Sequence, residues 1–192
     1  MAKIIGRVGP LRFRPRRLPP FQSLVQAIAH QQLSGKAANT ILTRFQALFG
    51  DDGFPTPEKV LRADVARLRS AGLSRPKARY ILDIAKRTKA GHVPTLDECD
   101  EKTDQELLET LTEIKGIGRW TAEMLLIFNL GRPDVLPVHD LGVRRGFQLA
   151  YRKRKLPEPE HLERFGERWR PHRTTAALYL WRVADFLKDG EW

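Results

Sequence analysis

Apolar residues recur at helical spacing along almost the whole chain, and the polar residues between them supply helix starts and stops. Leu24, Val25, Ile28 and Ala29 line one face of a helix predicted over about 21–32. Ser34 is placed to cap a second helix from Gly35 to Phe49, which Gly50 ends. Thr56-Pro57-Glu58 reads as another start, with threonine as N-cap and proline in the first turn. Ser74 opens a helix to about Ala90, with Ala78, Ile81, Leu82 and Ala85 on one side. Thr103 and Glu106 make a capping box for a helix ending near Glu113. Further helices are predicted over 119–130, 141–152, 159–169 and 173–188, with Pro133 and Pro137 breaking the chain between the first two. No stretch alternates apolar and polar residues as a strand would, so the predicted fold class is all-α. Residues 1–20 stand apart: five arginines and four prolines between Arg7 and Pro20 predict an extended basic arm.

Charge adds the first functional clue. Lys plus Arg number 34 against 23 Asp plus Glu, a net +11 over 192 residues, which favours an anionic partner, most commonly nucleic acid. That length suits one compact unit or two small lobes sharing a core. No run approaches the roughly 18 apolar residues of a membrane helix. The opening residues, Met1 to Arg7, carry no apolar signal-peptide stretch, so the expected location is cytoplasmic, on the nucleoid when DNA is bound. The single cysteine, Cys99, excludes an internal disulfide and a four-cysteine cluster, and its polar surroundings predict a loop thiol without chemistry.

The most informative segment runs from Leu111 to Ala122: a helix ends, Gly116 and Gly118 flank Ile117, and a new helix begins. Glycines here permit positive φ and leave backbone N–H groups uncovered beside a helix N-terminus, an arrangement suited to a DNA phosphate. Ile117 can plug the turn into the core. By itself a Gly-x-Gly turn is equally an ordinary helical hairpin. Nineteen residues after Thr121 stands Asp140, following Pro137 and opening the next helix. An aspartate there is an N-cap, where helix N–H groups and the helix dipole favour a carboxylate. A carboxylate fixed in this way can also stabilise positive charge that develops on a bound group. Its neighbour His139 points elsewhere and is read as a bystander.

The string Ile114-x-Gly116-Ile-Gly118-x-Trp120-Thr121-Ala122 resembles the hairpin of the helix-hairpin-helix DNA glycosylase superfamily. Within it, Leu136-Pro137-x-x-Asp140-Leu-Gly142-x-Arg144-Arg145 most resembles the alkylation-repair branch, the 3-methyladenine DNA glycosylase II type. Residues 21–38, 72–88 and 165–181 carry further likeness, about half the chain in all. The resemblance implies two helical lobes with a base pocket between them. A central lobe over 35–130 would hold the hairpin, and residues 1–34 with 131–192 would form the other. It implies Asp140 as catalytic residue and Gln32 or Leu33 as the wedge that fills the stack when a base leaves. DNA contacts would come from these two, Ser34, Lys36, Gly116, Gly118, Trp120, Thr121 and Arg144. The pocket would be lined by Phe21, Trp120, His172 and Tyr179, with Trp181 a further candidate aromatic that is read first as core. The branch usually has an aromatic where this chain has His172, which leaves open how an electron-poor base is stacked. Some related hairpins hold a monovalent cation on backbone carbonyls, here those of Ile114, Gly116 and Arg119. The β-sheet domain that longer members carry at the N-terminus has no counterpart in these residues.

Bifunctional relatives place a catalytic lysine where this chain has Trp120, and they carry an iron–sulfur cluster that one cysteine cannot hold. The expectation is therefore a cofactor-free, monofunctional enzyme. It would be a monomer, with no membrane association, acting on double-stranded DNA that contains a damaged base. Excision of 3-methyladenine and related N-alkylpurines is the leading reading. A glycosylase for deaminated or mismatched bases is one alternative, and His30, Gln31 or His172 could then supply polar pocket groups. A non-catalytic DNA-binding module or a protein-interaction hairpin are the others.

Overall fold

In the computed structural model, residues 1–50 and 53–188 are described. Among them there is no β-strand, and the all-α expectation holds. No helix of these residues is long and apolar enough to cross a membrane. Twelve α-helices follow in order: α1 Ala2–Val8, α2 Pro20–His30, α3 Gly35–Ala47, α4 Pro57–Leu61, α5 Val65–Ser70, α6 Arg75–Lys89, α7 Leu96–Glu101, α8 Asp104–Thr112, α9 Arg119–Met124, α10 Leu141–Ala150, α11 Pro159–Gly166 and α12 Arg173–Lys188. A π-helical turn over Leu125–Leu130 and a 3₁₀ turn over Glu167–Trp169 complete the set.

The chain divides into two compact units, one spanning Arg17–Leu125, the other joining Met1–Arg16 to the chain from Leu126 on. In the first, α6 packs against α2, α4 and α5, and its buried Ala78, Ile81, Ile84 and Ala85 fill the core. Polar N-caps set the starts: Ser34, Thr56, Asp64, Ser74, Thr95 and Thr103 each accept a hydrogen bond from the N3 backbone N–H of α3 to α8 respectively. Each such cap contributes about 1 kcal/mol. Helices α5 and α7 were not legible in the apolar spacing, being too short to complete a periodic pattern. The expectation for Cys99 is overturned, because it lies buried inside α7 rather than in a loop.

In the second unit, α10 crosses α12 closely while α1 and α11 pack around them. Gly142 and Gly146 make the crossing possible. A Cβ on Gly146 would overlap the Leu180 carbonyl, and one on Gly142 would stand 2.8 Å from the Trp181 ring. The extended-arm expectation for residues 1–20 is corrected for Ala2–Val8. These form α1, because burial of Ile4 against Tyr179 and Val183 of α12 rewards a helix that the prolines further on do not disturb. Between the two helical segments the arm is extended but not loose: the Arg16 N–H donates to the Phe128 carbonyl at 2.9 Å, and Pro15 lies over Gly131.

The loop leading to Asp140 is anchored by Asp134. Its carboxylate accepts two hydrogen bonds from the Arg173 guanidinium, at 2.8 and 3.0 Å, and one from Arg170 at 2.7 Å. The Thr174 hydroxyl adds a bond to the Arg132 carbonyl and accepts the Val135 N–H at 3.0 Å. Burial alone pushes the Asp134 carboxyl up, but hydrogen bonds and charge from Arg173, with charge from Arg170, outweigh it and leave it below the usual carboxylate range. A depressed folded-state value means that the contribution is complete above the unfolded value and lost as pH falls through the folded one. Asp134→Asn is therefore expected to cost about 3 kcal/mol in urea unfolding at neutral pH, since it leaves the largely buried Arg173 with only the longer, more exposed contact to Glu167 at 3.3 Å. As pH drops below about 4, the wild type should lose stability more steeply than the variant.

Candidate active site and nucleic-acid interface

The hairpin between α8 and α9 is built on a left-handed glycine. Gly116 has φ +88° and lies flat on the Tyr80 ring of α6, leaving no space for a Cβ. Ile114 and Ile117 are buried on either side, so the turn is plugged into the core as the sequence suggested. Gly118 is the N-cap of α9 and offers no side-chain hydrogen bond to the first turn. A ligand with oxygen acceptors can serve those N–H groups instead. Thr121 is buried, whereas Trp120 is half exposed at 50%. The cation suggested for this turn would rely on carbonyls that already have donors: that of Ile114 accepts the Ile117 N–H and that of Gly116 the Gln31 side-chain amide. Each keeps a second lone pair, so the donor set remains chemically suited to a monovalent cation.

Near the hairpin in the same unit is the turn between α2 and α3. Gln32 adopts φ +56°, and both it and Leu33 are exposed, Leu33 by 41%. Leu33 is thus not a core residue. Ser34 caps α3 and Lys36 is exposed on its first turn. Phe21 is buried, edge-on to Phe54 at 6.1 Å.

Asp140 caps α10. Its Oδ1 accepts the Val143 N–H at 2.8 Å and the Trp181 indole N–H at 2.8 Å. Two donors on one oxygen fix the rotation of a half-buried carboxylate. The indole reaches it only because Gly142 has no side chain: a Cβ there would stand 3.1 Å from both Asp140 Oδ1 and Trp181 Nε1. Trp181 in turn leans on Phe128 of the π turn at 5.5 Å, and Phe128 meets Phe13 of the arm edge-on at 5.9 Å. A row of three partly exposed rings therefore adjoins the carboxylate.

Sequence reasoning missed Phe128, and it weighed Trp181 only as a possible pocket ring, without its bond to Asp140. The indole was read as core because nothing in its spacing reveals a bond to Asp140. The face on which Phe128 emerges depends on a π turn that apolar periodicity does not encode. Other predicted residues have identifiable partners in their own unit. Tyr179 is buried against α1, its hydroxyl donating to the Gly9 carbonyl at 3.1 Å. His172 and His139 are exposed. The Arg144 guanidinium donates to the Pro157 carbonyl at 2.8 Å and ties α10 to the loop before α11, while Arg145 is exposed. Among the described residues no group of three His, Cys, Asp or Glu could hold a metal ion.

Comparison with known proteins places this geometry in context. The family model described as HhH-GPD superfamily base excision DNA repair protein matches residues 25–171. DNA-3-methyladenine glycosylase 1 of Schizosaccharomyces pombe is 41% identical over 191 residues, covering 98% of this chain and 83% of its own. The solved structure of S. pombe 3-methyladenine DNA glycosylase Mag1 in complex with abasic DNA superposes with a TM-score of 0.82 at 41% identity, over 94% of this chain and 89% of that one. A DNA-3-methyladenine glycosidase from Bacillus halodurans gives a TM-score of 0.89 at 38% identity, over 98% and 85% of the two chains.

The hairpin geometry predicts unequal glycines. Gly116→Ala meets both a left-handed φ and the Tyr80 ring and should lose about 2 kcal/mol. At Gly118, with nothing within 4 Å and φ −87°, alanine should lose less than about 1 kcal/mol. Urea midpoints of the two variants check the difference.

Proposed function

Because the chain belongs to the HhH-GPD superfamily of base excision DNA repair proteins, we propose that it is a monofunctional DNA glycosylase that excises 3-methyladenine and related N-alkylpurines. The observation that carries the site assignment is the carboxylate of Asp140, held at Oδ1 by the Val143 and Trp181 N–H groups beside an aromatic row.

Duplex DNA is gripped first. Phosphate oxygens take the N–H groups at the start of α9, and the exposed Gln32–Leu33 turn enters the minor groove as the base swings out. Unstacking costs a few kcal/mol, which a wedge in the vacated space offsets. An N3- or N7-alkylated purine carries positive charge, so it is attracted to ring faces. In this reading Phe128 and Trp181 supply such faces, where the branch usually has an aromatic at the position of His172. The same charge makes the base a good leaving group. As the N-glycosidic bond breaks, its electron pair goes to the purine, which departs neutral, and positive charge spreads over the deoxyribose. Asp140 stabilises that charge and orients the water that adds to the sugar, whose lost proton restores neutrality. The product is an abasic site. Trp120 stands where a Schiff-base lysine would be required, so strand cleavage by that route has no nucleophile. A monomer bound to damaged duplex on the cytoplasmic nucleoid is the working state.

Base release from methylated duplex DNA tests the assignment. Wild type should free 3-methyladenine. Asp140→Asn, which can still cap α10, should lose activity by orders of magnitude while keeping its DNA affinity. If wild type binds DNA but frees no alkylated base, the substrate assignment is wrong. Trp181→Phe keeps the ring and removes the N–H donor. Losing one hydrogen bond to a charged group predicts a kcat lower by about 10- to 100-fold with KM little changed.

A further inference from the structure

The segment ending α2 and the hairpin are 85 residues apart in sequence, yet they are joined by one hydrogen bond: the Gln31 side-chain amide donates to the Gly116 carbonyl at 2.8 Å. Beneath the same segment, the Lys77 ammonium donates to the carbonyls of Ala29 at 3.0 Å and Gln31 at 2.6 Å. We propose that Gln31 and Lys77 are positioning residues that lock the exposed Gln32–Leu33 turn to the hairpin, so that the wedge and the phosphate grip meet DNA in one fixed register. The inference rests on the glycosylase reading and assigns work to residues that reading leaves idle.

A helix end always needs partners for its last carbonyls, and a lysine is a common one. Three features go beyond that need. First, the Lys77 ammonium is half-buried, and burial pushes it below the ordinary lysine range, so the bond is made at an electrostatic cost that a surface cap avoids. Second, the turn it holds contains Gln32 at φ +56°, a conformation that persists only when its surroundings over-determine it. Third, the two loops share one support. Lys77 and Tyr80 lie three residues apart on α6, hence on neighbouring positions of one helix face. Tyr80 lies under Gly116, and Lys77 lies under the α2 terminus. Gln31 closes the loop of contacts from above. A turn ordered before DNA arrives need not be ordered during flipping, which lowers the cost of that step without adding a contact to undistorted DNA.

The test uses the full chain and a duplex carrying 7-methylguanine with 2-aminopurine as its neighbour, whose fluorescence rises when the adjacent base leaves the stack. Gln31→Leu should keep its affinity for undamaged duplex within about twofold. Its fluorescence rise should be slower, and its single-turnover release of the base should fall about tenfold, the worth of one such bond. Lys77→Met should behave alike, Lys77→Arg should recover much of the loss, and the double variant should lose less than the product of the two single effects. A thermal melt reports folding, and if Lys77→Met melts early, Gln31→Leu and Lys77→Arg carry the test. Wild-type flipping and release rates in Gln31→Leu would overturn the proposal. Equal loss of affinity for undamaged and damaged duplex would overturn it too, as the residues would then serve general binding. A wild type that releases no base fails the glycosylase reading itself, a different result from a variant indistinguishable from an active wild type.

Discussion

The unit carrying Asp140 depends on how closely two helices can approach. Packed helix axes are ordinarily 8–10 Å apart because side chains keep them there. At the α10–α12 crossing, Gly146 meets the Leu180 carbonyl and Gly142 meets Trp181, so backbone and ring press directly on α10. Everything chemical in this unit follows from that contact. It lets the indole N–H reach the oxygen that also caps α10. It leaves the Trp181 face beside Phe128. It also sets the depth of a core in which Phe147 meets Tyr151, Phe165 and Trp169. In the proposed reaction a carboxylate is useful against a developing cation only when its geometry is settled beforehand, and the crossing settles it.

The charge of the chain is spent in more than one currency. A net of +11 suggests a surface given over to phosphate. Several of the cations have internal duties instead. Arg173 and Arg170 hold Asp134, Arg144 holds the Pro157 carbonyl, and Arg119 pairs with the buried Glu123 at 2.9 Å. Arg17 forms a two-pronged pair with Asp100. Lys77 serves a helix end. Composition counts these with the exposed residues, so it indicates the sign of the partner without locating the contact surface.

How much was legible in the sequence follows from how local each signal is. Helix starts were readable at Ser34, Thr56, Ser74 and Thr103, because a cap is made between residues three positions apart. The hairpin was readable because a left-handed turn restricts residue type at Gly116 itself. The carboxylate was singled out by resemblance, since an aspartate before a helix is ordinarily no more than a cap. What stayed hidden depends on distant partners. Helix α1 exists because Ile4 finds α12. Cys99 is buried by tertiary packing around a strongly acidic helix. Gln31 had been weighed as a pocket group, and nothing near it in sequence indicates the Gly116 carbonyl. For Trp181, the local cue was not its own spacing but the absence of side chains at Gly142 and Gly146, four residues apart on a helix that otherwise has no need of glycine.

The π turn at Leu125–Leu130 has a bearing on the history open to this chain. Such a turn is an α-helix carrying one residue more than its hydrogen-bond ladder requires. Relieving it takes the loss of a single residue, after which every side chain beyond the excision rotates by roughly 100° about the helix axis. Phe128 would swing away from Trp181, and its carbonyl away from Arg16. Substitutions here alter one side chain at a time, but a change of length turns the whole face at once. Five of its six residues are buried, so packing constrains their type, and the aromatic contact of the sixth constrains their number as well.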